Sequence, residues 1–378
     1  MQEEHILKDH VRYFLSLVLL ACCASFCFAQ NARVKNDRDK GGLLGPVKSI
    51  EFGRIEYTLK GGKAVEGKRV LQHTTTFNEQ GNTSKVINYK EDGSVSAKQT
   101  HNYDSRGRNI GSEGCYVMQS EGAEKTYKQK QVFTLDDQGN QIESIGFQTD
   151  GTLSHRHVFK FDADGHKLEE LFYSWNGTRA GKIIYTYDER GNQLTQVSYN
   201  ADDSVNYKMV NSYDAVGDRI ESVQYHGDTL RYKMLYKYDD RRRLTEQETF
   251  EYNASSNGRA SHAPEPGKIV YAYTDETKTT EVATYDQHGS LREKVIRNLD
   301  NKGNEIGSEM YNADGSLKAT EIRWYDKNKL LRVLSGKSLR KFEYDAQGNW
   351  TRQTYLIQPK DSDTPEAFGA EYRIITYY

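Results

Sequence analysis

The 378-residue chain carries 52 basic and 54 acidic side chains, a formal net charge of −2. That balance removes the electrostatic case for nucleic acid or an anionic membrane as a partner. Hydrophobic content is only 36%, with 27 tyrosines against 5 prolines, too little aliphatic bulk for one large core. Tyrosine can lie half buried with its hydroxyl wet, which fits a thin sheet better than a thick globule.

Residues 1–29 read as a signal peptide. Lys8 and Arg12 precede an apolar run from Tyr13 to Phe28, and Cys27 and Ala29 place small residues for cleavage before Gln30. Leu19-Leu20-Ala21-Cys22 also resembles a lipobox, which would lipidate Cys22. The expectation is an exported chain, periplasmic or secreted, with tethering through Cys22 left open. The apolar run is short of the roughly 20 residues that a span takes, so no integral span is expected after signal removal. Cleavage leaves Cys115 alone, which excludes an internal disulfide and a cysteine metal cage.

Residues 30–45 read as an N-terminal linker and 46–378 as a single repeat domain. An aromatic or leucine followed by Asp recurs at Tyr103-Asp104, Leu135-Asp136, Phe161-Asp162, Tyr187-Asp188 and Tyr213-Asp214, the last four 26 residues apart. Phe77-Asn78 is a degenerate earlier copy. Later copies stand at Tyr238-Asp239, Leu299-Asp300, Tyr325-Asp326 and Tyr344-Asp345. Spacing slips at an insertion holding Cys115 and Met118, and again at a loop over 253–267. A fixed period of this size means a stacked or serially paired architecture.

One unit shows the logic. Ile183, Tyr185 and Tyr187 share one face of a strand. Asp188 and Gly191 then set a type I turn, and a second strand runs to Tyr199. The return turn reads Asp-Gly in the sister copies Asp92-Gly93, Asp150-Gly151 and Asp314-Gly315, a strong hairpin signal. Connections this short allow only antiparallel neighbours, so about ten units predict about twenty strands in one meander. Ile142, Ile145, Phe147 and Leu194, Val197, Tyr199 step by three and then by two. That spacing predicts a bulge just after each turn, with added twist. The expected fold is all-β: an antiparallel meander of 26-residue two-strand repeats in a twisted or coiling elongated sheet, with atypical ends covering its open edges.

The run Tyr187-Asp188-Glu189-Arg190-Gly191-Asn192-Gln193-Leu194 resembles the YD repeat of the RHS family. The Gly45-Pro46-Val47-Lys48-Ser49 entry and the Gly348-Asn349-Trp350-Thr351 exit, with its Tyr377-Tyr378 end, are similar to small exported bacterial YD-repeat proteins. The resemblance covers about residues 41–378 and implies a spiralling β-sheet. No toxin payload is expected past Tyr378, so encapsulation is not carried over. Phe159-Lys160-Phe161-Asp162-Ala163-Asp164-Gly165 is similar to bacterial wall-binding aromatic repeats.

The chemistry-bearing residues point away from catalysis. His155 and His157 share a strand face, with His166 beyond the next turn, a pattern open to metal or to plain strand histidines. Asp162-Ala163-Asp164-Gly165 begins like a calcium loop but lacks its spaced ligands and closing Glu. No nucleophile elbow, Walker loop or zincin helix motif occurs. The expectation is no catalytic, cofactor or metal site and no cofactor. Tyr187, Tyr213 and Tyr238 form one row, read as the ladder of the inner face. Tyr173, Tyr199 and Tyr225 form a second row and are the candidate ligand-binding residues. The terminal Ile374-Ile375-Thr376-Tyr377-Tyr378 resembles the aromatic end of outer-membrane barrels, but strands such as Asn206–Asn211 are too polar for one. The expected function is a non-catalytic binding or scaffold protein at the cell envelope or outside the cell, engaging protein or glycan through its sheet faces. The alternative is a polysaccharide-active enzyme or enzyme accessory.

Overall fold

The computed structural model describes residues 35–61, 63–120, 123–252, 267–326, 329–336, 338–357 and 365–378. The expected signal peptide, Cys22 and the 253–267 loop up to residue 266 lie outside the described residues. Asp37–Tyr378 is one structural unit. Its strands run in chain order from β1 (Val47–Lys60) to β24 (Glu366–Tyr377), after a single helical turn α1 (Asp37–Lys40).

Each strand pairs antiparallel with its neighbours in the chain, and the two ends then pair with each other. Val47–Glu56 of β1 lies along Gly369–Tyr377 of β24. The result is a closed 24-strand barrel. This corrects the expected open, coiling sheet of fewer strands. The physical reason is edge pairing: the terminal strands satisfy each other's free N–H and C=O groups instead of being capped separately.

The hairpins follow the local chemistry. Between β10 (Arg179–Tyr187) and β11 (Gln193–Asn200), the Gly191 N–H donates to Asp188 O at 3.0 Å. Gly191 takes φ 82°, a region glycine enters without strain. Thr186 pairs with Thr195 and Tyr187 with Gln193, so Leu194 is the extra residue of a bulge. Ile142, Leu168 and Ile220 are extra in the same way. The extra residue therefore sits where the step of three places it, and each one bends its strand.

The two faces of the sheet are unlike. Strand residues such as Arg156, Lys160, Thr186, Lys208, Ser212 and Lys237 are exposed and share one face. The other face buries Ser112, Ser144, Asn211, Ser222 and Thr249, small side chains suited to the crowded concave side. That face lines the inside of the ring. Inner residues Tyr185, Met209, Ile269 and Val295 keep partial exposure, so the ring is not flattened into two packed sheets. With 24 strands about 4.8 Å apart the perimeter is at least about 115 Å. Barrels smaller than this already hold water.

The densest packing lies at the seam. Val47, Ile50 and Phe77 cluster with Leu43, Ile375 and Tyr377, and Ile55 packs with Ala370 and Tyr372. Residues 37–44 lock this region from outside the strands. Arg38 donates to Val47 O at 3.1 Å and Glu79 O at 2.8 Å. The Asn349 amide accepts from the Leu44 N–H at 2.7 Å and donates to Leu44 O at 2.8 Å. Tyr378 closes the end with a hydroxyl bond to Phe77 O at 2.6 Å.

Gly53 is where the seam admits no side chain. A Cβ there would stand 2.3 Å from Val70 O and 2.7 Å from the Tyr372 ring. Gly53→Ala is expected to destabilise the barrel by about 1–3 kcal/mol, read as a lower urea midpoint. An unchanged midpoint would show that the seam has slack.

Candidate functional site: the tyrosine rows and the two barrel faces

The Asp of each repeat is a turn lock. Asp188 Oδ1 accepts from the backbone of Arg190 at 3.0 Å and Asn192 at 2.8 Å, and its Oδ2 accepts from the Asn192 amide at 2.9 Å. Asp136 and Asp300 do the same with Asn140 and Asn304. These side-chain amides, then the turn N–H groups, hold all three carboxyls below the ordinary aspartate value. At the opposite rim, Asp203 takes Arg179 at 2.7 Å and Lys182 at 2.8 Å and falls to about 2.

The inner tyrosine row stitches one repeat to the last. Tyr187 donates to Lys167 O at 2.9 Å, Tyr213 to Gln193 O at 2.9 Å and Tyr238 to Arg219 O at 3.0 Å. Tyr103, Tyr273, Tyr325 and Tyr344 make the equivalent bond. In every case the acceptor is the residue paired, across a bulge, with the previous repeat's aromatic or leucine: Lys167 with Phe161, Gln193 with Tyr187, Arg219 with Tyr213. The bulge disturbs the ladder, and the next tyrosine hydroxyl supplies a donor there. Burial raises the phenols of Tyr187 and Tyr213, and that of Tyr103 to about 12.

The candidate residues Tyr173, Tyr199 and Tyr225 lie on the outer face, half buried. Each has its cross-strand partner's cation over the ring: Arg156 at 5.4 Å, Lys182 at 4.9 Å and Lys208 at 5.9 Å. Lys294 covers Tyr311 in the same way at 5.3 Å. One ring face is thus occupied by a cation. The row is a ladder of tyrosine–cation pairs, and a ligand would meet cations and ring edges together. The sequence held this signal in register, since Lys182 and Tyr199 are direct partners in the hairpin.

Beside that row runs an aliphatic one: Ile145, Val158, Leu171, Ile184, Val197, Val210, Val223 and Leu235. Ion pairs cut across it, with Arg156–Glu143, Lys233–Glu221 and Lys237–Glu246 each at 2.7 Å and Lys160 bonded to Glu169. A membrane barrel presents an apolar band about 25 Å tall. These strands alternate apolar and charged rows instead. Among the described residues no helix is long and apolar enough to cross a membrane.

The histidines divide. His155 and His157 do share the inner face, with ring centroids 5.3 Å apart, and His155 lies over Gly146. His157 Nδ1 stands 3.5 Å from Glu170, which Lys167 also approaches at 3.3 Å. Burial works to raise the Glu170 carboxyl, but His157 and Lys167 hold it below its ordinary value. His166 is not part of this group; it stacks on Tyr187 and meets Asp162 at 3.0 Å. Asp162, Asp164 and His166 stand close enough to hold a cation. However, Asp162 Oδ1 already accepts from both Asp164 and His166 N–H groups, and His166 does for this turn what Asn192 does for the next. Cys115 is a free thiol on the outer face, opposite Lys98 and Lys128.

No family model and no curated protein matches the chain. Among solved structures it is similar to the TcdB2-TccC3-TEV complex at 11% identity and TM-score 0.28, covering 83% of this chain and 21% of that one. The TcdB2-TccC3-Cdc42 complex is similar at 9% identity and TM-score 0.24, again over 21% of its length. A porin-like protein from Bacteroides uniformis is similar at 8% identity and TM-score 0.22, over 88% of this chain and 98% of that one. The chain thus spans about a fifth of the TcdB2-TccC3 chains it matches.

Two measurements test the turn and row assignments. Tyr187→Phe removes one hydroxyl bond and is expected to cost about 1 kcal/mol in a urea melt. Because Asp136, Asp188 and Asp300 are depressed, their stabilisation is complete above the ordinary aspartate value and is lost as pH falls through the lower folded values. Thermal midpoints should therefore be flat above about pH 5 and drop between about pH 4 and 2. A midpoint that held steady to pH 2 would contradict the lock.

Proposed function

We propose that this chain is an exported, non-catalytic β-repeat barrel that serves as a binding or scaffold module at the cell envelope or outside the cell. It engages a protein or glycan through its sheet faces. The observation that carries the reading is the use made of charge: among the described residues, carboxylates such as Asp188, Glu170 and Glu321 are taken up in turn locks and ion pairs, while the inner wall is left open and rich in tyrosine and amide. A polysaccharide-cleaving enzyme needs two carboxylates free to act on one bond. Glu170 inside is tied to His157 and Lys167, and Glu321 to Arg323 at 2.6 Å. The likeness of Tyr187–Leu194 to the YD repeat supports the same reading, as does that of the Gly45–Ser49 entry and the Gly348–Thr351 exit to small exported YD-repeat proteins. So does the leader, with Cys22 as the residue that would tether the chain.

The decisive experiment is retention of residues 30–378 on isolated bacterial envelopes and insoluble polysaccharides, challenged with salt and with free sugars. Retention released by sugar is expected for a glycan module, and retention lost to salt or protease treatment of the envelopes for a protein partner. Alanine at Tyr173, Tyr199 and Tyr225 together should weaken retention at least about tenfold if the outer row makes the contact. Absence of retention on every surface would overturn the envelope reading.

A further inference from the structure

The inner face carries a row of four stacked groups across the seam, one from each successive strand. They are Trp350 on β23 (Trp350–Ile357), Arg373 on β24, Phe52 on β1 and His73 on β2 (Lys63–Phe77). Arg373 pairs in register with Phe52, and Phe52 with His73. The guanidinium carbon stands 3.7 Å from the centre of the Trp350 ring. Phe52 stacks on His73 at 4.8 Å and meets Trp350 edge-on at 6.3 Å.

Arg373 differs from the other inner arginines of this region in having no acceptor. Arg323 is tied to Glu321 at 2.6 Å and Glu305 at 3.4 Å, and Arg340 to Glu321 at 3.6 Å. Among the described residues no carboxylate or carbonyl takes an Arg373 N–H. Glu371, two residues along, acts on it only at a distance, and burial pulls the guanidinium below its ordinary value. Stacking engages the face of the guanidinium and leaves the edge, where its five N–H donors lie in a fork. A half-buried cation with a free fork is matched by a carboxylate or phosphate, which accepts two parallel bonds. His73 adds no fixed charge, since burial and then Arg373 hold it below the ordinary imidazole value. On the same wall the exposed amides of Asn88, directly opposite His73, and Gln99, one strand further, are neutral groups that suit hydroxyls.

We propose that the Trp350–Arg373–Phe52–His73 row is a binding site for an oxyanion carried by a saccharide, such as the carboxylate of a uronic acid or the phosphate of a phosphorylated sugar. This deepens the binding-module reading and rests on it for the saccharide. Arg373 holds the anion through its edge, Trp350 fixes the guanidinium plane, and the amides take up the sugar hydroxyls.

Trp350 is also the reporter. Trp175 lies on an exposed turn and Trp324 on the outer face, so Trp175→Phe with Trp324→Phe leaves the tryptophan emission, excited selectively over tyrosine, to Trp350. Titration with oligogalacturonate at low salt should give a saturable change, and an uncharged glucan of the same length should give none. Arg373→Gln should weaken binding by about 10- to 100-fold. Arg373→Lys keeps the charge but loses the planar fork and should weaken it about tenfold, with an unaltered circular dichroism spectrum confirming the fold. A response to inorganic phosphate or sugar phosphate with none to oligogalacturonate keeps the oxyanion site and names phosphate as its source. A response to an acidic peptide but to no acidic sugar overturns the saccharide. No response to any oxyanion, or equal affinity in Arg373→Gln, overturns the site. Envelope retention of the parent protein is scored separately, so the site can fail while the binding-module reading stands.

Discussion

The terminal strands of a meander each leave a row of backbone N–H and C=O groups without partners, and in this chain those two rows satisfy each other. Val47–Glu56 and Gly369–Tyr377 are more than three hundred residues apart in sequence, yet they form one ladder. Everything else depends on that junction. Closure gives the sheet an inside and an outside, and the alternation of side chains along each strand then assigns every second residue to one or the other. It also explains why the buried apolar clusters gather at the seam, around Val47, Ile50, Phe77, Ile55 and Ala370. Local turns cannot hold these strands together, so side-chain packing and the Arg38 and Asn349 clamps do so.

Around the rest of the ring, stability is local and repeated. A turn aspartate fixes the hairpin, the second residue past the turn is the extra one of a bulge, and the next repeat's tyrosine bonds the carbonyl beside that bulge. Each unit is therefore tied to its neighbour by a side chain as well as by the ladder. Such a wall needs no filled core, which reconciles a hydrophobic content of 36% with an ordered fold. It also leaves the inner surface free for chemistry other than packing.

Much of this was legible in the sequence, because it is local. The spacing of Leu194, Val197 and Tyr199 marks the bulge, and Asp188 with Gly191 marks the turn. The structural role of Tyr187, Tyr213 and Tyr238 was legible in outline, though their carbonyl partners lie about 20 residues away, beyond the reach of any pattern within one hairpin. Curvature at each bulge was readable too. Whether such increments add up to an open coil or a full turn depends on a sum over all units, and no single residue records it. The atypical ends were readable as ends, but nothing in Val47–Lys60 or Glu366–Tyr377 names the other as its partner. The outer row of Tyr173, Tyr199 and Tyr225 was visible as a row, while its covering cations become visible only once register pairs Lys182 with Tyr199.

The same distinction bears on where function is to be sought. Features that recur with the repeat, such as the turn locks and the tyrosine bonds, are accounted for by the fold, because every unit needs them. A feature that departs from the charge pairing of its neighbours and stands on the inner wall is not explained by the repeat. Arg373 on Trp350 is such a feature, and it arises only at the seam, where strands from the two ends of the chain meet. Closure therefore does more than remove two sheet edges. It brings Phe52 and His73 from the first strands beside Trp350 and Arg373 from the last, and so assembles a group of side chains that no run of consecutive repeats could supply.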